Sequence, residues 1–192
     1  MRKRLMLIMS AILVVNLVIT LVLVFTNTGD GDSSIPIART LDEAVETELE
    51  SIRMIDDTAV ASLQEQLAVG EQFSIEPREL AEAWLKDFDF TIGEIVQDGD
   101  TATVNVVITS RSLQAAIEEA MPIMGEIIGN LSESDDIEEA YKTCGEVLMD
   151  SLRGGQLISR SIDLNFYQRS IDGAWVIDPQ SKKDLAAALA AY

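Results

Sequence analysis

The sequence predicts an α+β domain, an antiparallel sheet packed on helices, preceded by one transmembrane helix. Three observations carry that prediction. Residues 5–25 are 21 positions without a charge. Two stretches, around residues 88–109 and 158–177, alternate polar and apolar side chains and each contains an Asp-Gly turn, which reads as a pair of hairpins. The remaining apolar positions recur at helical spacing and flank the hairpins in chain order.

The apolar run comes first. At about 1.5 Å per residue a 21-residue helix is about 31 Å long, matching a hydrocarbon core of roughly 30 Å. Fifteen of its residues are Leu, Ile, Val or Phe, so insertion outweighs the cost of Ser10, Asn16 and Thr20. Arg2, Lys3 and Arg4 stand before the run and Asp30 and Asp32 after it. The positive-inside rule therefore leaves residues 1–4 as a cytoplasmic tip and places the remainder outside the cell. A cleaved signal peptide would have a shorter core and an A-x-A-like site; the run ends instead in Val24-Phe25-Thr26-Asn27. Asn16 is either tolerated at mid-span or a contact between helices.

Residues 26–39, rich in Gly, Ser, Asp and Thr, read as a flexible linker. The extracytoplasmic domain then spans 40–192. Thr40-Leu41-Asp42-Glu43 is a capping box opening a helix with Leu41, Val45, Leu49 and Ile52 on one face. A second helix, capped by Asp57 or Thr58, would bury Val60, Leu63 and Leu67 and stop at Gly70. A third starts near Pro77 and carries Leu80, Trp84 and Leu85.

In the first hairpin Phe88, Phe90 and Ile92 alternate with polar residues until Gly93 breaks the phase, as a bulge does. After Asp98-Gly99-Asp100 come Ala102, Val104, Val106 and Ile108. Ser112 caps the next helix, with Leu113, Ile117, Met121, Met124, Ile128 and Leu131 inward and Pro122 as a kink. Another, from about Ser134, aligns Ile137, Tyr141, Cys144, Leu148 and Leu152 and ends at Gly154-Gly155. The second hairpin follows with Ile158, Ile162, Leu164 and Phe166, a turn at Asp172-Gly173, then Trp175 and Ile177. A short Ala-rich helix over 185–191 closes the chain. The order α-α-α-β-β-α-α-β-β-α implies a single antiparallel sheet with its helices on one face.

Composition narrows the chemistry. There is no histidine and one cysteine, and 14 basic groups face 33 acidic ones for a net −19. Histidine triads, His-ligated zinc, intrachain disulfides and thiolate metal clusters are excluded. Nucleic acid is a poor partner for such a charge. Four of the basic and two of the acidic groups lie in residues 1–39, so the part from Thr40 onward carries −21. Neither Asp-Gly-Asp is an EF-hand loop, because the twelfth position is Leu41 for one and Thr109 for the other. No cofactor or metal is expected. The acidic clusters at 43–50 and 135–139 suit helix starts and solvated faces. Cys144 and the pair Met121 and Met124 are expected in the core. Asn130-Leu131-Ser132 is a glycosylation sequon only in a eukaryotic source.

The segments FDFTIGEIVQDGDTATVNVVITS, SLQAAIEEAM and IDGAWVID, in that order after a helical start, resemble the nuclear transport factor 2-like (cystatin-like) superfamily. They are more closely similar to uncharacterised membrane-anchored or lipoprotein surface domains of Gram-positive bacteria. The resemblance covers about residues 40–180. It implies a curved sheet wrapped around helices, a cone-like fold, at the cell surface. The chain departs from lipoprotein members in lacking the lipid-modified cysteine directly after the apolar run, so the transmembrane helix is its anchor. Enzymes of the superfamily place a carboxylate general base inside the cone. The candidate polar residues lie on the third strand: Arg160 in phase with Ile158 and Ile162, and Asp163, Asn165, Tyr167 and Arg169 in the opposite row. Arg160, Asp163 and Tyr167 are thus candidate binding residues, set against an ordinary solvated strand face; no catalytic residue is assigned. The expected function is a membrane-anchored binding or accessory domain without catalytic activity, with the bilayer and a surface protein or small ligand as partners. The alternative is a small-molecule pocket enzyme using a carboxylate base.

Overall fold

The structure is a computed structural model describing residues 40–55, 73–132 and 136–190. The expected cytoplasmic tip, membrane helix (5–25), linker (26–39) and second helix (57–70) lie outside the described residues. Among the described residues no helix is long and apolar enough to cross a membrane.

Among the described residues there are nine elements: α1 (Leu41–Met54), α2 (Pro77–Leu85), β1 (Asp89–Asp98), β2 (Thr101–Arg111), α3 (Leu113–Gly129), α4 (Ile137–Gly154), β3 (Leu157–Gln168), β4 (Trp175–Ile177) and α5 (Pro179–Ala190). The strands form one antiparallel sheet in the order β1-β2-β3-β4. This is the α+β arrangement expected from the two hairpins.

The local chemistry explains the boundaries. The capping box at α1 forms: Glu43 N–H donates to Thr40 Oγ1 at 3.2 Å, and Thr40 N–H to a Glu43 carboxylate oxygen at 3.3 Å. Ser112 Oγ accepts from the Ala115 amide at 3.1 Å to start α3. That helix continues through Pro122, which faces solvent. Pro122 has no amide to donate to the Glu118 carbonyl. Asp136 starts α4 by accepting from the amides of Glu138 and Glu139. In the first hairpin Asp98 lies opposite Thr101, leaving Gly99 and Asp100 as a two-residue loop with Gly99 at φ +61°. The bulge expected at Gly93 is present: Ile92 pairs with Val106 but Ile95 with Val104, so Gly93 and Glu94 together face Asn105.

The helices cover one face of the sheet. Ala102, Val104, Val106 and Ile108 of β2 and Leu164 and Phe166 of β3 are buried against Trp84, Leu49, Leu80, Leu113, Leu152 and Leu189. Helix α5 lies along β3, α1 against β4, and α2 against α4 and β2, while α3 pairs with α4. Trp84 is held in this core by an indole N–H bond to the Arg111 carbonyl at 3.1 Å, which satisfies its polar edge without opening the interior.

Four expectations shift. Helix α5 begins at Pro179 rather than Leu185, because Asp178 caps it, accepting from the Gln180 amide at 2.8 Å, and Pro179 fills the first turn. Met121 is 46% exposed and not a core residue, whereas Met124 is buried. Ile137 is exposed and Tyr141 half-buried; the buried stripe of α4 is Ala140, Cys144, Gly145, Leu148, Met149 and Leu152. Its packing rests on small residues, which let neighbouring backbone come close. Cys144 is buried as expected, and burial pushes its thiol up from 9.0, which keeps it protonated and unreactive.

Candidate functional site

The third strand separates the candidate residues it carries. Arg160 lies on the helix-facing row and is half-buried, and its Nη1 donates to the Ala188 carbonyl at 3.1 Å. That bond satisfies a carbonyl in the last turn of α5, where a cation also complements the helix dipole. Asp163 and Tyr167 point to the opposite, solvent-facing side. Asp163 accepts from Asn105 Nδ2 at 2.7 Å, and Tyr167 lies opposite Thr101. The strand thus brings Asp163 and Tyr167 to one face and sends Arg160 to the other.

That outer face is a ladder of short polar side chains. Thr103 Oγ1 donates to Asn165 Oδ1 at 2.9 Å, Asn105 Nδ2 also reaches Ser161 Oγ at 2.9 Å, and Thr109 and Ser159 hydroxyls meet at 2.8 Å. Gly93 leaves room for Asn105: a Cβ there would stand 3.1 Å from Asn105 Oδ1. The polar groups are spent on one another, which pins the register of β2 and β3.

Among the described residues no Asp or Glu is buried. The buried polar side chains among the described residues are Ser110, Ser112 and Ser181. Ser181 Oγ accepts from the Asn165 amide at 2.9 Å, and Ser112 caps α3.

A concave site does occur on the far side of α4. A groove of about 400 Å³ is bounded by residues 73–75, by Glu79 on α2 and by one stripe of α4. Its floor is apolar, from Phe73, Ile75 and Met149; its rim is charged, with Glu79, Lys142, Glu146, Asp150 and Arg153. The wall at 73–75 is seated by two contacts. The Phe73 ring meets Tyr141 edge-on with centroids 5.6 Å apart. The Phe73 carbonyl rests on Gly145, where a Cβ would overlap it. Ser74 takes the left-handed conformation at φ +52°, which turns the chain along the groove at a cost of roughly 1–2 kcal/mol for a residue other than glycine.

Ion pairs set the groove's width. Arg153 bridges Glu79 on α2 and Asp150 on its own helix. The end of α4 is fixed in turn by Arg111 of β2, whose Nη1 donates to the carbonyls of Arg153 at 2.5 Å and Gly155 at 2.8 Å while Nη2 pairs with Asp87. Lys142 and Glu146 are exposed on the rim. The arrangement suits recognition, with an apolar anchor point inside a charged frame. Sequence reasoning did not find it, because Gly145 inside a helix and Phe73 before one give no paired signal.

No protein-family model matches the chain, and no curated protein matches it. Among solved structures it is similar to a "putative lipoprotein (ycdA)" from Bacillus subtilis, with a TM-score of 0.49 and 14% identity. The match covers 83% of this chain and 50% of that one, so the chain spans about half the length of that relative.

Proposed function

We propose that this chain is a single-pass membrane protein whose extracytoplasmic domain, of the cystatin-like cone architecture, binds a partner or small ligand and performs no chemistry of its own. The observation that carries the reading is the contrast between interior and groove. Between sheet and helices the described residues pack a continuous apolar cluster, with no buried Asp or Glu among them. The groove against α4 offers an apolar floor within a charged rim, the composition of a binding site. A pocket enzyme of this fold would need a carboxylate base drawn into the interior with its pKa shifted; the apolar cluster of the described residues supports the non-catalytic reading over that alternative. The membrane position rests on the basic tip at residues 2–4 and the uncharged run 5–25.

Photo-cross-linking in intact cells tests this. A photoreactive side chain is placed at Glu146 in the groove and, as a control, at Asp184 on α5. A discrete adduct from position 146 alone, lost when protease is added outside the cells, is the expected result. Equal labelling at both positions, or protection of the domain from external protease, would overturn the proposal.

A further inference from the structure

We infer that the groove against α4 takes an extended peptide segment carrying an apolar side chain next to a basic one. This inference rests on the proposed binding function and names the class of ligand for that groove.

Shape argues for an extended chain. The α4 residues lining the groove are Lys142, Gly145, Glu146, Met149, Asp150 and Arg153, a single helical stripe. From 142 to 153 it runs about 16 Å at 1.5 Å per residue. That length holds roughly five residues of extended chain at about 3.3 Å each. The opposite wall is formed by residues 73–75, which turn at Ser74, and by Glu79 on α2. A compact small molecule binds best where most of its surface is enclosed; a slot that follows one stripe of α4 and is open on one side suits a chain instead.

Charge argues for a basic residue in that chain. Of the rim groups, Arg153 is already committed to Glu79 and Asp150. Glu146, one turn from Met149, is the carboxylate placed to meet a cation while a neighbouring apolar side chain rests on Phe73, Ile75 and Met149. A field from a domain of −21 concentrates cationic ligands at its surface and speeds their encounter. Lys142, one turn before Glu146, repels a second basic residue at that end and so gives the segment a direction.

The test uses the full chain in detergent micelles and fluorescence anisotropy with three labelled pentapeptides. One has a central Lys between two Leu residues, the second a central Glu between the same Leu residues, and the third the central Lys between two Ala residues. The first should bind at least tenfold more tightly than either of the others. Glu146→Lys should weaken it about fivefold or more, and Lys142→Glu should tighten it. Both substitutions fall on exposed helix positions, so folding is retained. Equal affinity for the three peptides, absence of binding, or indifference to Glu146→Lys would sink the inference. The in-cell adduct from position 146 separates this failure from that of the binding function: if the adduct persists, only the ligand class is wrong, and if it is missing too, both fall.

Discussion

Gly145 shows how a single missing side chain builds the groove. It lies inside α4, where glycine costs about 1 kcal/mol relative to alanine, yet a Cβ there would overlap the Phe73 carbonyl. Two effects compete in Gly145→Ala. The helix gains about 1 kcal/mol of propensity, while the clash with backbone costs about 1–3 kcal/mol of overpacking. Because the obstructing atom belongs to a backbone seated by the Phe73–Tyr141 ring contact, it yields little, and the clash should win. We expect a net loss of up to about 2 kcal/mol in denaturant unfolding, together with weaker ligand binding in the groove. Unchanged or increased stability would show that residues 73–75 do not rest on the helix. Arg160 and Asp163 illustrate the reverse case, in which noticeable side chains make intramolecular contacts. Arg160 ends a helix and Asp163 pins a strand pair, while Tyr167 stands at the rim of the same polar face.

Among the elements, helix starts test how cap chemistry and apolar periodicity divide the work. Asp178 accepts from the amides of Gln180 and Ser181, at 2.8 and 3.4 Å, and its own amide donates to the Asn165 carbonyl at 2.8 Å. Asp178→Ala removes the cap and leaves the backbone bond to β3 intact. The expected cost is about 1 kcal/mol, read as a lower melting temperature with an unchanged sheet signature in circular dichroism. No change would mean that packing of Leu185 and Leu189 alone holds α5. After Pro179 the start of this helix, Gln180 to Asp184, is wholly polar, so a reading based on apolar spacing begins too late, at Leu185. By contrast Thr40, Ser112, Gly93 and Gly99 were legible, because each effect is local: a cap, a bulge or a turn is complete within a few residues. The stripe of α4 was half legible. Cys144, Leu148 and Leu152 were in phase, but Gly145 owes its burial to backbone approaching from residue 73. The groove joins segments about seventy residues apart, and no periodicity along the chain reports such a meeting.

For the molecule as a whole, the decisive quantity is charge. From Thr40 onward the chain carries −21, while the basic groups Arg53, Arg111, Arg153, Arg169 and Lys182 are already paired with acids. Most carboxylates therefore face other carboxylates through solvent. Exposed ion pairs contribute about 0–1 kcal/mol each and are weakened by salt, whereas repulsion summed over so many like charges opposes the compact state. The two effects have opposite salt dependence, and magnitude decides between them. Raising ionic strength from about 0.01 to 1 M shortens the Debye length from about 30 to 3 Å, which removes long-range repulsion and only part of the contact attraction. The melting temperature should rise by a few degrees across that range, about 2–4 °C for each kcal/mol in a domain of this size. A fall would mean that the ion pairs outweigh the repulsion. The same titration should weaken the cationic peptide in the groove, because that interaction draws on the field that salt screens. Stability and affinity then move in opposite directions in one experiment, which a neutral ligand would not reproduce.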